Sequence, residues 1–405
     1  MRPILALSLL ALLATAGSAQ QKPRARELGI PFNGTPGPLN AITDVAGVEV
    51  GHVTLIRGEG RLVVGKGPVR TGVTAVLPRG KSSDPVMAAW WTLNGNGEMT
   101  GTTWLEESGF LWGPVMITNT LSVGVVRDAV IEWAIKRNYD DFLWALPVVA
   151  ETYDGGLNDI KGMHIRKEDA FRALDDAKTG PVAEGNVGGG TGMVCHSFKG
   201  GIGTASRRLG VDVGGYTVGV LVQCNYGGRR RLSIAGVPVG PQIQGAEQCV
   251  GVANPSEPWA RQLPRCDAAP SGVLPTAARE ELGSIIVVVA TDAPLLPHQL
   301  KRLAKRVGLG IGRMGGIGGD SSGDIYLAFS TANAGASDPD SAVTVRMWPN
   351  DRINGLFEAT IDATEEAITN AMFAAETMTG ADGYRVSALP TDQVVALLRK
   401  AGRIP

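Results

Sequence analysis

The chain predicts a mixed α/β fold, on three observations. Short apolar runs alternate with stretches of helical periodicity, and several of those runs are apolar on both faces. Glycine, at 55 of 405 residues, is about twice ordinary usage, without a collagen period or low-complexity blocks. A strand apolar on both sides belongs to a sheet covered by other layers, not to one half exposed to water. Glycine at this density reads as tight turns and closely packed backbone. The length leaves room for two domains or more, but no internal repeat and no linker separates independent cores.

The first residues carry Arg2, an apolar run from Ile4 to Ala16 and then Gly17-Ser18-Ala19, the layout of a secretory signal peptide ending after Ala19. The run is too short to span a bilayer as a mature anchor. An exported protein is expected, periplasmic in a Gram-negative host. Apolar and β-branched runs then predict strands at Val48–Leu55, Val115–Thr118, Leu146–Ala150, Tyr216–Gln223, Ser284–Ala290, Asp324–Ser330 and Val343–Met347. Between them Ser122–Arg137 reads as a helix, as does His298–Val307, where Leu300, Leu303, Ala304 and Val307 share one face. Leu356–Thr379 reads as the longest helix, with Ile361, Ile368, Met372 and Ala375 as its stripe and Gly380 as its stop. Thr391 is placed to cap a last helix with Val394, Val395, Leu397 and Leu398 inside.

Lys and Arg number 38 against 39 Asp and Glu, a balance that argues against nucleic acid or an anionic membrane as partner and favours a small, weakly charged substrate. The four cysteines invite disulfides in an exported chain. Cys195 and Cys224 sit in apolar or glycine-rich surroundings, whereas Cys249 and Cys266 flank a loop-like segment and fit either a bridge or two free thiols. There is no CxxC, no HExxH, and no setting that recommends His52, His164, His196 or His298 as a base, so metal and histidine-triad chemistry are disfavoured. Gly319-Asp320-Ser321-Ser322-Gly323 matches a nucleophile elbow but lacks the preceding strand. Gly310-Ile311-Gly312-Arg313-Met314-Gly315 matches a dinucleotide fingerprint but follows a helix. Gly188 to Gly192 lacks the lysine of a phosphate loop and reads as packed backbone.

One junction stands apart. From Ala235 to Glu281 periodicity fades into a proline-dotted excursion, including Pro238, Pro241, Pro255, Pro258, Pro264, Pro270 and Pro275, which stops at Leu282-Gly283-Ser284 against a β-branched strand. Taken alone, this is a loop glycine before a core strand. A cut between Gly283 and Ser284 would give one residue both a hydroxyl nucleophile and an α-amine, whose reference pKa is about 7.7 to 8.0. Glycine suits the acyl side of such a cut because it allows strained backbone, and the excursion supplies the slack a new chain end needs.

Several segments around this junction resemble one family. They include Ser322-Gly323-Asp324-Ile325 leading into Ala328-Phe329-Ser330-Thr331, Glu151-Thr152-Tyr153-Asp154-Gly155, Gly185 to Met193, Val222-Gln223-Cys224-Asn225-Tyr226-Gly227, Asn94 to Gly101 and Thr118-Asn119-Thr120. Their order along the chain, from about Arg24 to the C-terminal helix, resembles the DmpA and BapA family of L-aminopeptidase D-esterases and β-peptidyl aminopeptidases, which are self-cleaving N-terminal-nucleophile hydrolases. The resemblance implies a four-layer α/β/β/α sandwich, shared with the ornithine acetyltransferases. It implies an α chain of residues 20–283 and a β chain of residues 284–405 that stay folded together, assembled as a tetramer of αβ units.

The same resemblance assigns roles. Ser284 is the nucleophile, its proton taken by its own α-amine or relayed through Ser322 and Asp324, and Asn225 donates to the oxyanion. Glu151 holds the free amino terminus of a short peptide, amide or ester, and Tyr153 lines the same pocket. No metal or cofactor is implied. Two residues also have plainer readings: Asp324 as a solvated carboxylate at a strand start, Glu151 as the partner of an internal arginine. Trp104 and Trp112 are candidate aromatics for the pocket wall. The competing functions are acyl transfer of the ornithine acetyltransferase type and a non-catalytic periplasmic binding protein on the same fold.

Overall fold

The computed structural model describes residues 22–139, 146–268 and 283–405; the expected signal peptide, and Leu282 beside the junction, lie outside them. In chain order the strands are β1 (Glu49–Arg57), β2 (Val69–Lys81), β3 (Val86–Gly95), β4 (Phe110–Leu111), β5 (Val115–Asn119), β6 (Val148–Thr152), β7 (Val194–Cys195), β8 (Phe198–Lys199), β9 (Gly201–Arg208), β10 (Thr217–Asn225), β11 (Ser284–Thr291), β12 (Gly323–Ser330), β13 (Met378–Thr379) and β14 (Arg385–Val386). The α-helices are α1 (Thr102–Ser108), α2 (Val123–Lys136), α3 (Lys167–Asp175), α4 (Pro297–Arg313), α5 (Asn354–Ala374) and α6 (Thr391–Lys400).

Two sheets carry the molecule, one of four strands in the order β1-β2-β5-β6 and one of six in the order β4-β3-β12-β11-β10-β9. Strand β11 shows why they stack. All eight of its residues are buried. Because side chains alternate along a strand, Ile285, Val287 and Val289 enter a core with Leu300, Val307, Ala363 and Ala367 of α4 and α5. Ile286, Val288 and Ala290 enter another with Val76, Ile117 and Ala150 of the facing sheet. A third core lies under the four-stranded sheet, where Val73, Ala75 and Met116 meet Val126 and Val130 of α2 and Ala170 and Leu174 of α3. The layers therefore run helix, sheet, sheet, helix, the sandwich that the resemblance implied.

Several expectations need correcting. Residues 343–347 form no strand: Val343 and Met347 are exposed, and the Asn333 side chain, bonding both the amide and the carbonyl of Arg346, occupies the backbone where a neighbouring strand would pair. Helix α5 stops at Ala374, because Ala375 turns extended and Met378–Thr379 pairs with Arg385–Val386; Gly380 is not its stop. Thr391 opens α6 after Pro390 and makes no capping bond.

The sequence reading did not expect strands β2, β3 and β9; glycine and polar residues interrupt β2 and β9 but not the apolar start of β3. In β9 the reason is visible: a Cβ on Gly203 would lie 2.0 Å from the carbonyl oxygen of Ala367 on α5, so glycine stands where the helix presses closest. The fingerprint-like Gly310–Arg313 is the last turn of α4, where a Cβ on Gly310 would lie 2.8 Å from Thr364 of α5. Cys249 is bonded to Cys266. Cys195 and Cys224, for which the sequence suggested only apolar or glycine-rich surroundings, are bonded to each other as well.

Candidate active site

Three strand ends meet in one row. Ser284, the first residue of β11, has Asn225, the last of β10, opposite it in antiparallel register and Gly323, the first of β12, beside it in parallel register. The Ser284 hydroxyl oxygen accepts the Gly323 amide proton at 3.1 Å. Before it, Gly283 has φ +113°, and a Cβ there would lie 2.0 Å from the Asn225 carbonyl oxygen. Both facts require glycine. The Asn225 carboxamide is fixed at both ends, Oδ1 accepting from the Val194 amide at 2.8 Å and Nδ2 donating to the Tyr153 carbonyl at 3.1 Å. With its oxygen committed to an acceptor role, its NH2 group is the end available to a reacting oxygen.

Ser322 donates through Oγ to Asp324 Oδ1 at 2.6 Å, and both residues are fully buried. Asp324 is thus not the solvated carboxylate of its plainer reading. The turn before it is pinned by Asn96 of the Asn94–Gly101 segment, whose Nδ2 donates to the Ser321 carbonyl at 2.8 Å. The Asn96 backbone amide donates to the Ser322 carbonyl at 3.3 Å. This contact brings the Asn96 carbonyl over Gly323, where a Cβ would lie 2.4 Å from that oxygen.

Glu151 comes from the other sheet, on β6, and is 4 % exposed. Its Oε1 accepts the Glu98 amide at 3.0 Å and its Oε2 the Thr120 hydroxyl. Burial pushes its carboxyl above the usual glutamate range, and these two hydrogen bonds only partly oppose it. Among the described residues no arginine or lysine pairs with it, so the internal ion pair of its plainer reading is not formed. Tyr153, two residues on, is 45 % exposed and lends its carbonyl to Asn225.

These groups open into one cavity of about 740 Å³ that holds Ser284, Gly283, Asn225, Glu151, Tyr153, Glu98 and Thr120. Its described lining includes no basic side chain, so its carboxylates have no cationic neighbour there. Ser322 and Asp324 lie just behind its wall, which Ser321 reaches. Further wall residues escaped the sequence reading, among them Ser197, Gln248, Trp259 and Tyr384. The rings of Trp259 and Tyr384 pack edge to face with centroids 5.1 Å apart. An aromatic inside a proline-rich excursion was the one available signal for Trp259. Trp104 and Trp112 do not line this cavity; with Phe110 and Leu146 they line a separate one of about 830 Å³. The glycine turn Gly188–Gly192 is packed backbone, as read: a Cβ on Gly189 would lie 2.1 Å from Gln223 Oε1 and one on Gly192 2.4 Å from the Arg70 carbonyl oxygen.

Residues 40–386 match the model of peptidase family S58. The chain belongs to that family. It is similar to the β-peptidyl aminopeptidase BapA of Sphingosinicella microcystinivorans, 57 % identical over 395 residues that cover 97 % of this chain and 96 % of the relative. BapA of Sphingosinicella xenopeptidilytica is 46 % identical over 98 % of this chain and 96 % of its own length. Among solved structures, the L-aminopeptidase D-Ala-esterase/amidase of Ochrobactrum anthropi, described as a prototype serine aminopeptidase with a variant Ntn hydrolase fold, superposes with a TM-score of 0.83 at 47 % identity, covering 95 % of this chain and 100 % of that one. A β-aminopeptidase of a Burkholderia species superposes with a TM-score of 0.81 at 46 % identity, covering 94 % and 100 %. The protein is therefore a serine aminopeptidase of the Ntn type, and the acyltransferase and binding-protein readings fall away.

Proposed function

We propose that this chain cuts itself between Gly283 and Ser284 and then, as an αβ enzyme, releases the N-terminal residue from short peptides, amides or esters, β-amino residues included. The observation that carries this reading is the placement of Ser284. A hydroxyl at the start of a buried strand, directly after a glycine with φ +113°, faces the same cavity as the buried carboxylate of Glu151.

In the continuous chain the Ser284 nitrogen is an amide and cannot act as a base. Self-cutting begins when Ser284 Oγ adds to the Gly283 carbonyl carbon; the C–N bond then breaks, the nitrogen takes a proton, and water hydrolyses the resulting ester. The freed α-amine, with a reference pKa of about 7.7 to 8.0, can then take the Oγ proton as the same oxygen attacks a substrate. The Ser322 hydroxyl already donates to Asp324, which leaves its oxygen as an acceptor, so the pair forms a second path for that proton. Asn225 Nδ2 is the donor to the developing oxyanion. Glu151 receives the substrate ammonium: a buried carboxylate is stabilised by an arriving cation and not by an internal peptide, which selects a free amino terminus. The returned proton leaves with the departing amine, and water clears the acyl group.

The inclusion of β-amino residues rests on the two Sphingosinicella relatives, both named as β-peptidyl aminopeptidases. Export through a signal peptide of residues 1–19 rests on the layout of that segment, and a tetramer of αβ units on the family resemblance. Intact mass of purified wild type is expected to give two fragments meeting at residue 284. Ser284→Ala is expected to stay one chain without turnover, and Asn225→Ala to cut and turn over about 100- to 1000-fold more slowly. A Ser284→Ala protein that matures and works at the wild-type rate overturns the proposal.

A further inference from the structure

The hairpin β7–β8 carries a pair of backbone conformations that its residues do not favour. Its two-residue turn is His196-Ser197, with Cys195 paired to Phe198, and φ is +49° at His196 and +65° at Ser197. Two positive φ values are what a type I′ turn demands, and Asn-Gly is the pair that supplies them cheaply. Neither position here holds a residue of that kind. Such strain persists where the surroundings over-determine it, and it gathers at functional sites.

The surroundings do over-determine it. Cys195 is bonded to Cys224 on β10, and the His196 amide donates to the Tyr226 carbonyl at 2.7 Å. Gln248 Nε2 donates to the Ser197 carbonyl at 3.0 Å. The far end is held by Lys199, a fully buried side chain whose Nζ donates to the carbonyls of Met193 at 2.9 Å, Gly200 at 2.8 Å and Gly190 at 3.3 Å. The near end is Val194, whose amide fixes Asn225 Oδ1. The hairpin is thus rigidly built into the catalytic row, and its strained tip places Ser197 on the cavity wall beside Gly227 and Gln248. No bond holds the Ser197 hydroxyl among the described residues.

We propose that Ser197 is a substrate-binding residue whose hydroxyl hydrogen-bonds the peptide group of the substrate on the leaving side of the scissile bond. The inference rests on the site assignment above and proceeds by what a short peptide still has to offer. Its ammonium is received by Glu151, and its first carbonyl by Ser284 and Asn225. The polar group left over, beyond the scissile bond itself, is the carbonyl or carboxylate of the departing residue.

The test compares two substrates with the same N-terminal residue, a dipeptide amide and a p-nitroanilide, whose leaving group has no peptide carbonyl. Ser197→Ala keeps the strained backbone and removes the hydroxyl. It is expected to lose about 5- to 10-fold in kcat/KM on the dipeptide, the worth of one hydrogen bond, and less than about 2-fold on the anilide. Ser197→Gly is expected to lose the same amount on the dipeptide while melting at a higher temperature, since glycine relieves the positive φ. Anilide turnover by the wild-type protein reports the site assignment, so a wild type that fails on the anilide would count against that assignment and not against Ser197. Equal losses on both substrates, no loss on either, or an unimpaired Ser197→Gly overturns the proposal.

Discussion

At Gly283 the absent side chain is what makes the junction possible. A β-carbon there would stand 2.0 Å from the Asn225 carbonyl oxygen, closer than any real contact, and φ of +113° is a region L residues rarely enter. Gly283→Ala is therefore expected to displace the scissile bond from Ser284 Oγ and slow self-cutting by orders of magnitude, seen as a persistent single chain in a mass-resolved time course. Glu151 predicts a pH effect. In the proposed mechanism the α-amine must be neutral to act as base and Glu151 must be ionised to bind an ammonium, so kcat/KM is expected to fall as pH drops through the amine's value and to fall again through the raised value of the buried carboxyl. Glu151→Gln is expected to raise KM and to reduce the steep lower part of that acid limb to the slope of a single ionisation, measured as a pH profile. The place of Gly283 and Ser284 at a strand start was legible from local sequence, because a β-branched run after a polar stretch marks a strand end, while the role expected of them came from the family resemblance. Glu151 was legible only through family resemblance, since nothing in the sequence tells that its carboxyl is buried without a cation. Trp259 and Tyr384 were not legible, because their meeting depends on the separate hairpin β13–β14 and the Cys249–Cys266 bridge.

At the scale of elements, the site is a matter of register. Strand β11 is antiparallel to β10 and parallel to β12, and only that pairing sets Asn225, Ser284 and Gly323 side by side. A slip of one residue would turn Ser284 to the opposite face. The two-sided apolar runs that fix this register were plain in the sequence, whereas β9 was not, because contact with α5 replaced its large side chains by glycine and alanine. Ile286 belongs to the core between the sheets, fully buried. Ile286→Ala is expected to cost about 2–5 kcal/mol in a denaturant melt, with the released fragments, where formed, keeping their masses.

Across the whole molecule, the N-terminal segment is tied to the last long helix by charge. Glu366 on α5 is fully buried and bonds Arg26 at 2.7 Å, Arg207 at 2.7 Å and Asn40 at 2.7 Å. Burial alone would raise its carboxyl, but the Arg26 hydrogen bonds and the charges of Arg207 and Arg26 hold it below the usual glutamate range. A carboxyl lowered on folding contributes stability that is present above its unfolded value and lost as pH falls through its folded one. Glu366→Ala strands Arg207, which is 2 % exposed, and is expected to cost about 3–5 kcal/mol; a melt series from pH 7 to pH 3 should show the mutant with the shallower acid dependence.

The six-stranded sheet has one consequence of its own. Its order places β12 and β11 between β3 and β10, so strands that follow residue 283 are wedged between strands that precede it. Neither piece of a severed chain owns a contiguous version of that sheet. The proposed severance must accordingly come after folding, and it would act as a ratchet: the architecture would survive the break, yet two separated pieces would have to find each other by diffusion and interleave anew, a bimolecular search that the single newborn polypeptide never faces.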